Sequence, residues 1–204
     1  MHTSDHPARR STAAALVITA LFVLTQLYSA IPLIGPVSTD LGRNATFALS
    51  TSFSLCYALG FLIWGPIADH YGRRTCLLIG MTLLTVATLS CAVTTSLGAL
   101  AVARCIQGIT AASFSPIALA YLSDSTPPAW RGTAIGAMST AFLVAGIFGQ
   151  VTAQAITERW GWHWVFGASA LILFICAGAI AVLMRDRTTR TPYSSLIDQF
   201  TRVG

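Results

Sequence analysis

Long apolar runs alternate with short polar punctuation along the chain, and the spacing between charges sets the first expectation. No Asp, Glu, Lys or Arg occurs in 44–68, 75–103, 105–123 or 132–157. Uncharged apolar runs of about 18 residues or more read as membrane-spanning helices. Gly, Pro and charge divide the sequence into six such spans, at 13–34, 48–67, 75–94, 97–122, 133–156 and 164–184. At 1.5 Å per residue, about 20 residues suffice to cross about 30 Å of hydrocarbon. Only Thr95 and Ser96 separate the third span from the fourth. A single helix of about 48 residues would overshoot a bilayer, so a tight hairpin is expected there.

Composition agrees: 54% of the 204 residues are hydrophobic and 9% are charged, too few charges for the surface of a soluble domain. The expected class is an all-α membrane protein, with a polar tail at 1–12, a six-helix bundle at 13–184 and a polar linker or tail at 185–204. The apolar run that follows Arg9 and Arg10 is too long for a secretory signal core. All twelve basic residues are arginine, and they sit mostly at span ends. That placement suits membrane topology, and no nucleic-acid partner is expected.

With the N-terminus inside, Arg9, Arg10, Arg73, Arg74, Arg131, Arg185, Arg187, Arg190 and Arg202 are cytoplasmic, and only Arg43 and Arg159 face outward. Nine against two satisfies the positive-inside rule, so both termini are expected in the cytoplasm and the bundle in a plasma (inner) membrane. Trp160, Trp162 and Trp164 then form an interfacial anchor at the outer end of the sixth span.

The tetrad Asp69-His70-Tyr71-Gly72 is echoed 89 residues later by Glu158-Arg159-Trp160-Gly161. Each lies between the second and third spans of a three-span group. The same offset maps the first span onto the fourth with its direction reversed, as in an inverted 3+3 repeat. Four shared positions are also within the reach of chance.

Arg104 lies about two turns inside the fourth span, where a central arginine costs about 2.5–3.5 kcal/mol against lipid. Two placements are open: snorkelling to the outer interface, or a polar cavity. Gln107 and Gly108 share its helical face. Gln26, with Thr25 and Tyr28 beside it, reaches a similar depth in the first span. It either faces Arg104 across a cavity or holds the bundle by interhelical hydrogen bonds. The five cysteines, at 56, 76, 91, 105 and 176, show neither a CxxC pair nor a histidine at metal-ligand spacing. They read as small apolar fillers, and no metal or cofactor is expected.

At the cytoplasmic side, Asp69 ends the second span and Arg73 and Arg74 begin the third, with Gly72 supplying the tight turn. A carboxylate at a helix C-terminus is disfavoured by the dipole, so Asp69 calls for a cationic or helix-N-terminal partner. Asp124 and Arg131 lie in the loop after the fourth span. Charge pairs among these residues would form a cytoplasmic gate.

These motifs resemble the N-terminal half of a major facilitator superfamily transporter. "GPIADHYGRR" is similar to that family's signature between its second and third helices, at Gly65, Ala68, Asp69, Gly72, Arg73 and Arg74, with His70 departing from it. "RCIQG" resembles the fourth-helix signature of the drug/proton antiporter branch, at Arg104, Gln107 and Gly108. Asp124 and Arg131 are similar to an acid-x6-arginine pattern. The antiporter signature of the fifth helix is kept only at Gly149.

The resemblance implies half of a twelve-helix fold that moves small solutes by alternating access, with proton coupling through Arg104 and a gate contact from Asp69 to the other half. Gly65, Gly108 and Gly149 are expected to serve close helix packing. The functional expectation is a secondary transporter, in the form of proton-coupled efflux of small organic compounds. Its partners would be the lipid bilayer, a small-molecule substrate, protons, and a second six-helix half or a second copy of the chain. The alternative is a six-helix interaction protein or homodimer without transport of its own. An enzyme is not expected, because paired intramembrane carboxylates and a Ser/His arrangement are missing from the spans.

Overall fold

The computed structural model describes residues 6–184, with side chains from residue 11 onward. The expected linker at 185–204 and the first five residues of the expected tail lie outside the described residues. From His6 onward the chain is already helical, and the apolar span begins within that helix at Ser11. The elements are α1 (His6–Tyr28), α2 (Ala30–Asp40), a π turn (Phe47–Thr51), α3 (Ser52–Tyr71), α4 (Arg73–Ala92), α5 (Leu97–Ala111), α6 (Phe114–Ser125), α7 (Pro128–Trp160) and α8 (Trp162–Leu183). Six of the resulting helical stretches are long and apolar enough to cross a membrane.

Two spans are broken, each just upstream of a proline. The first breaks at Ser29, three residues before Pro32, and the fourth at Ala112 and Ser113, just before Pro116. A proline offers no N–H to the carbonyl four residues back and its ring crowds that carbonyl, so the ladder opens there. The hairpin between the third and fourth spans is present, with the Ser96 hydroxyl capping α5 through the N–H of Ala99 at 3.3 Å.

The internal echo is visible in the backbone. Gly72 ends α3 at φ 91° and ψ 137°, and Gly161 ends α7 at φ 91° and ψ 162°. Each N–H closes onto the carbonyl four residues back, at Ala68 and Thr157. Both turns need a positive φ, which glycine adopts without a Cβ penalty. The dominant helix pairings are α1 with α7, α3 with α5 and α4 with α8. Exchanging the first span with the fourth, the second with the fifth and the third with the sixth leaves that set of pairs unchanged. This is the internal symmetry of a 3+3 repeat.

Candidate functional site

Arg104 on α5 has no solvent exposure and is the largest fully buried side chain among the described residues. Its guanidinium binds three elements at once. Nε donates to the Leu49 carbonyl at 2.8 Å. Nη1 donates to the Gln26 carbonyl at 3.0 Å and to Gln107 Oε1 at 2.7 Å. Nη2 is buried without a hydrogen-bond partner. The Arg104 Cζ lies 4.2 Å from the centre of the Phe53 ring, a cation–π contact on a dry face. Snorkelling is therefore excluded, and the polar-interior placement holds.

Local backbone irregularity supplies the acceptors. Leu49 sits in the π turn, where the N–H of Ser52 reaches the Phe47 carbonyl five residues back and displaces the regular ladder. Gln26 lies three residues before the break at Ser29. Hydrogen bonds to a charged group contribute about 1.5–3 kcal/mol each. Two or more are enough to offset a central-membrane penalty of about 2.5–3.5 kcal/mol.

Gln107 orders the rest of the network. Because its Oε1 faces the guanidinium, its Nε2 must donate elsewhere. It does so to the Thr88 hydroxyl at 2.8 Å and to Gln26 Oε1 at 3.2 Å. Gln26 Nε2 returns to the Phe22 carbonyl at 3.1 Å, and the Cys91 thiol reaches Gln107 Oε1 at 3.7 Å. One buried polar cluster thus joins α1, the π turn, α4 and α5. Thr88, Phe53 and the Leu49 carbonyl were not singled out from the sequence. Thr88 is one of many hydroxyls in apolar spans, and nothing in its spacing ties it to Arg104 on another helix.

Tyr28 is not part of this cluster. Its ring lies against Gly146 of α7, where an added Cβ would stand 3.8 Å from Cε1 and Cζ. Gly108 and Gly149 do mark close approaches: a Cβ on Gly108 would stand 2.4 Å from the Phe53 carbonyl oxygen, and one on Gly149 3.2 Å from that of Thr25. Gly65 does not, since a Cβ there meets nothing within 4 Å. The expectation that Gly65 packs against a helix of this unit is corrected. Gly60 takes that place, with a Cβ there 2.7 Å from Ala112 Cβ.

At the arginine-rich end, Arg73 pairs with Asp124 and also donates to the Ala120 carbonyl at 2.9 Å. Arg74 Nη2 donates to the Ala181 carbonyl at 2.9 Å. Arg131, on the first turn of α7, is exposed and makes no close ion pair with Asp124, although its charge still acts on that carboxylate from a longer distance. Asp69 is exposed as well and has no ion pair or hydrogen bond among the described residues. The expected pairing of Asp69 inside this unit is thereby corrected. Arg73 is drawn to Asp124 because the α3–α4 turn sets it beside α6.

Two further contacts bind the opposite end and the middle. Trp162 Nε1 donates to Asp40 Oδ2 at 2.9 Å, fastening α8 to the end of α2. Cys56 on α3 and Cys105 on α5 form a disulfide, with their Cα atoms 5.2 Å apart. Reading all five cysteines as fillers was therefore wrong for these two. Cys76, Cys91 and Cys176 are free and buried. No group of three or more potential metal ligands occurs among the described residues.

The sequence profile of the Major Facilitator Superfamily matches residues 16–202. The chain belongs to that superfamily. Curated superfamily relatives include Multidrug resistance protein 3 of Bacillus subtilis (strain 168), 31% identical over 133 residues that make up 65% of this chain and 26% of the relative. Multidrug resistance protein Stp of Mycobacterium tuberculosis (strain CDC 1551 / Oshkosh) is 30% identical over 172 residues, 82% of this chain and 32% of the relative. The chain thus spans about a quarter to a third of these superfamily members.

Among solved superfamily folds, a bacterial homologue of the human lysosomal transporter Spinster, inward-facing and unoccupied, superposes with a TM-score of 0.78 at 20% identity. The match covers 91% of this chain and 46% of that one. A D-xylose-proton symporter superposes with a TM-score of 0.75 at 14% identity, covering 95% and 52%. The superfamily fold is shown by these likenesses, and the six helices form its N-terminal half.

Proposed function

We propose that this six-helix unit is half of a secondary active transporter that works by alternating access and exports small organic compounds against an inward proton gradient. The observation that carries the reading is Arg104, a cation with no solvent exposure whose Nη2 remains without a partner. Every described acidic residue, Asp40, Asp69, Asp124 and Glu158, lies at a span end. A buried charge without a counter-ion is costly, and an intramembrane ionisable group marks a transport path by default. The open Nη2 suits a carboxylate that a second half or an anionic substrate group brings and removes in the cycle.

The exposed Asp69 fits a gate whose partner lies outside the six helices, while Arg73–Asp124 braces the arginine-rich end. That end faces the cytoplasm of a plasma-membrane protein in this reading, with residues 1–12 and 185–204 as cytoplasmic segments flanking the bundle. The names of the multidrug resistance relatives agree with efflux. The test is accumulation of a fluorescent amphipathic compound in everted vesicles carrying the protein. Gradient-dependent accumulation that collapses with a protonophore is expected; accumulation indifferent to the protonophore contradicts it.

A further inference from the structure

The Cys56–Cys105 pair plays no part in the hydrogen-bond network of Arg104, yet it adjoins that network on both sides. Cys105 follows Arg104 in α5, and Cys56 lies one turn beyond Phe53, the ring beneath the guanidinium. The closeness of the two sulfurs does not depend on the bond. On the α5 side, Gly108 lets the Phe53 carbonyl approach to where a Cβ would stand 2.4 Å away, and Gly60 does the same opposite Ala112 at 2.7 Å. Glycine packing therefore presents the two thiols to each other whether or not they are joined.

The pair is about 13 Å from the start of the second span, at 1.5 Å per residue, well inside the hydrocarbon. Cys105 is half-buried and emerges beside Val102 and Ile106, which are 62% and 51% exposed. Its exposed neighbours at that depth are apolar and uncharged, which favours an apolar oxidant over a charged water-borne one. We propose that Cys56 and Cys105 are a reversible dithiol–disulfide switch addressed from within the membrane by a lipid-soluble quinone. Each thiol gives up its proton, the S–S bond forms, and the quinone takes the two electrons and two protons to leave as quinol. The bond then ties α3, which carries Phe53 and continues the π turn that carries Leu49, to α5, which carries Arg104. Oxidation fixes Arg104 against its acceptors and slows transport, a consequence that rests on the proposed function.

The test uses membranes carrying the protein, reduced with a permeant phosphine that is then washed out, and exposed either to a short-chain benzoquinone fully substituted on its ring, which oxidises thiols without adding to them, or to ferricyanide. Free thiols are capped with N-ethylmaleimide and mapped by mass spectrometry. The quinone should remove the alkylatable thiols of Cys56 and Cys105 together, ferricyanide should leave both, and phosphine should restore them. Thiols that survive the quinone, equal oxidation by ferricyanide, or a disulfide that phosphine leaves closed would overturn the switch. In Cys56→Ser the Cys105 thiol should survive the quinone; its equal loss also counts against the pairing. Transport should fall on oxidation in the parent protein and not in Cys56→Ser. Equal rates in both redox states overturn the link to Arg104. A parent protein that transports nothing contradicts the transport reading, and the mass map still decides the thiol chemistry.

Discussion

Replacing Gly108 with alanine should push α3 away from α5 and weaken the hold on Arg104. The new Cβ would stand 2.4 Å from the Phe53 carbonyl oxygen and 3.0 Å from the Tyr57 nitrogen, both backbone atoms with no rotamer to escape into. Reaching an ordinary C···O separation of about 3.3 Å requires the helices to part by about 0.9 Å. The Arg104 Nε to Leu49 contact, now 2.8 Å, would stretch past hydrogen-bonding range if the π turn moved with α3. Overpacking costs about 1–3 kcal/mol and the lost charged hydrogen bond about 1.5–3 kcal/mol, so a loss of about 2.5–6 kcal/mol is expected. Gly65→Ala is the matched control on α3. Nothing lies within 4 Å of its added methyl, and the helix should gain about 0.5–1 kcal/mol. The assay is thermal unfolding of the purified protein in detergent, read by loss of monodisperse material. A Gly108→Ala midpoint equal to or above the parent's would refute the packing argument.

Three other outcomes follow from the same geometry. Gln107→Leu removes the group that joins Arg104 Nη1, Thr88 and Gln26 Oε1, and each buried group left unpaired costs about 1–3 kcal/mol; a clear drop in the same unfolding assay is expected, and an unchanged midpoint contradicts the network. Asp69→Asn should leave stability within about 0.5 kcal/mol, as for surface positions without partners. It should nevertheless alter transport, and equal vesicle accumulation by variant and parent counts against a gate. Trp162→Phe removes the donor to Asp40 and should cost about 0.5–1.5 kcal/mol, a modest fall in midpoint that Asp40→Asn, which keeps an acceptor, avoids.

The spans were legible because charge and glycine act locally, and the turns stand at Gly72 and Gly161; the breaks before Pro32 and Pro116 divide the first and fourth spans, which read as unbroken in the sequence. Arg104 and Gln107 were legible as a pair because three residues of helix put them on one face. The remaining holders of Arg104 were not, since two are backbone carbonyls freed by a π turn and near a helix break, which no side chain announces. Gly65 and Gly108 look alike in sequence, and only the path of the neighbouring helix separates them. Asp69 and Arg131 were expected to find partners nearby. Arg73 took Asp124 instead, because the turn at Gly72 aims it across at α6. The pairing of Cys56 with Cys105 depends on the approach of α3 and α5 and has no signature in the spacing of the cysteines.

In the proposed cycle, buried Arg104 couples substrate movement to protons. In Arg104→Gln, substrate counterflow without a gradient should persist, because the path itself remains, while uptake driven by a pH gradient in everted vesicles should vanish. Gradient-driven uptake at the parent rate in Arg104→Gln would contradict that coupling.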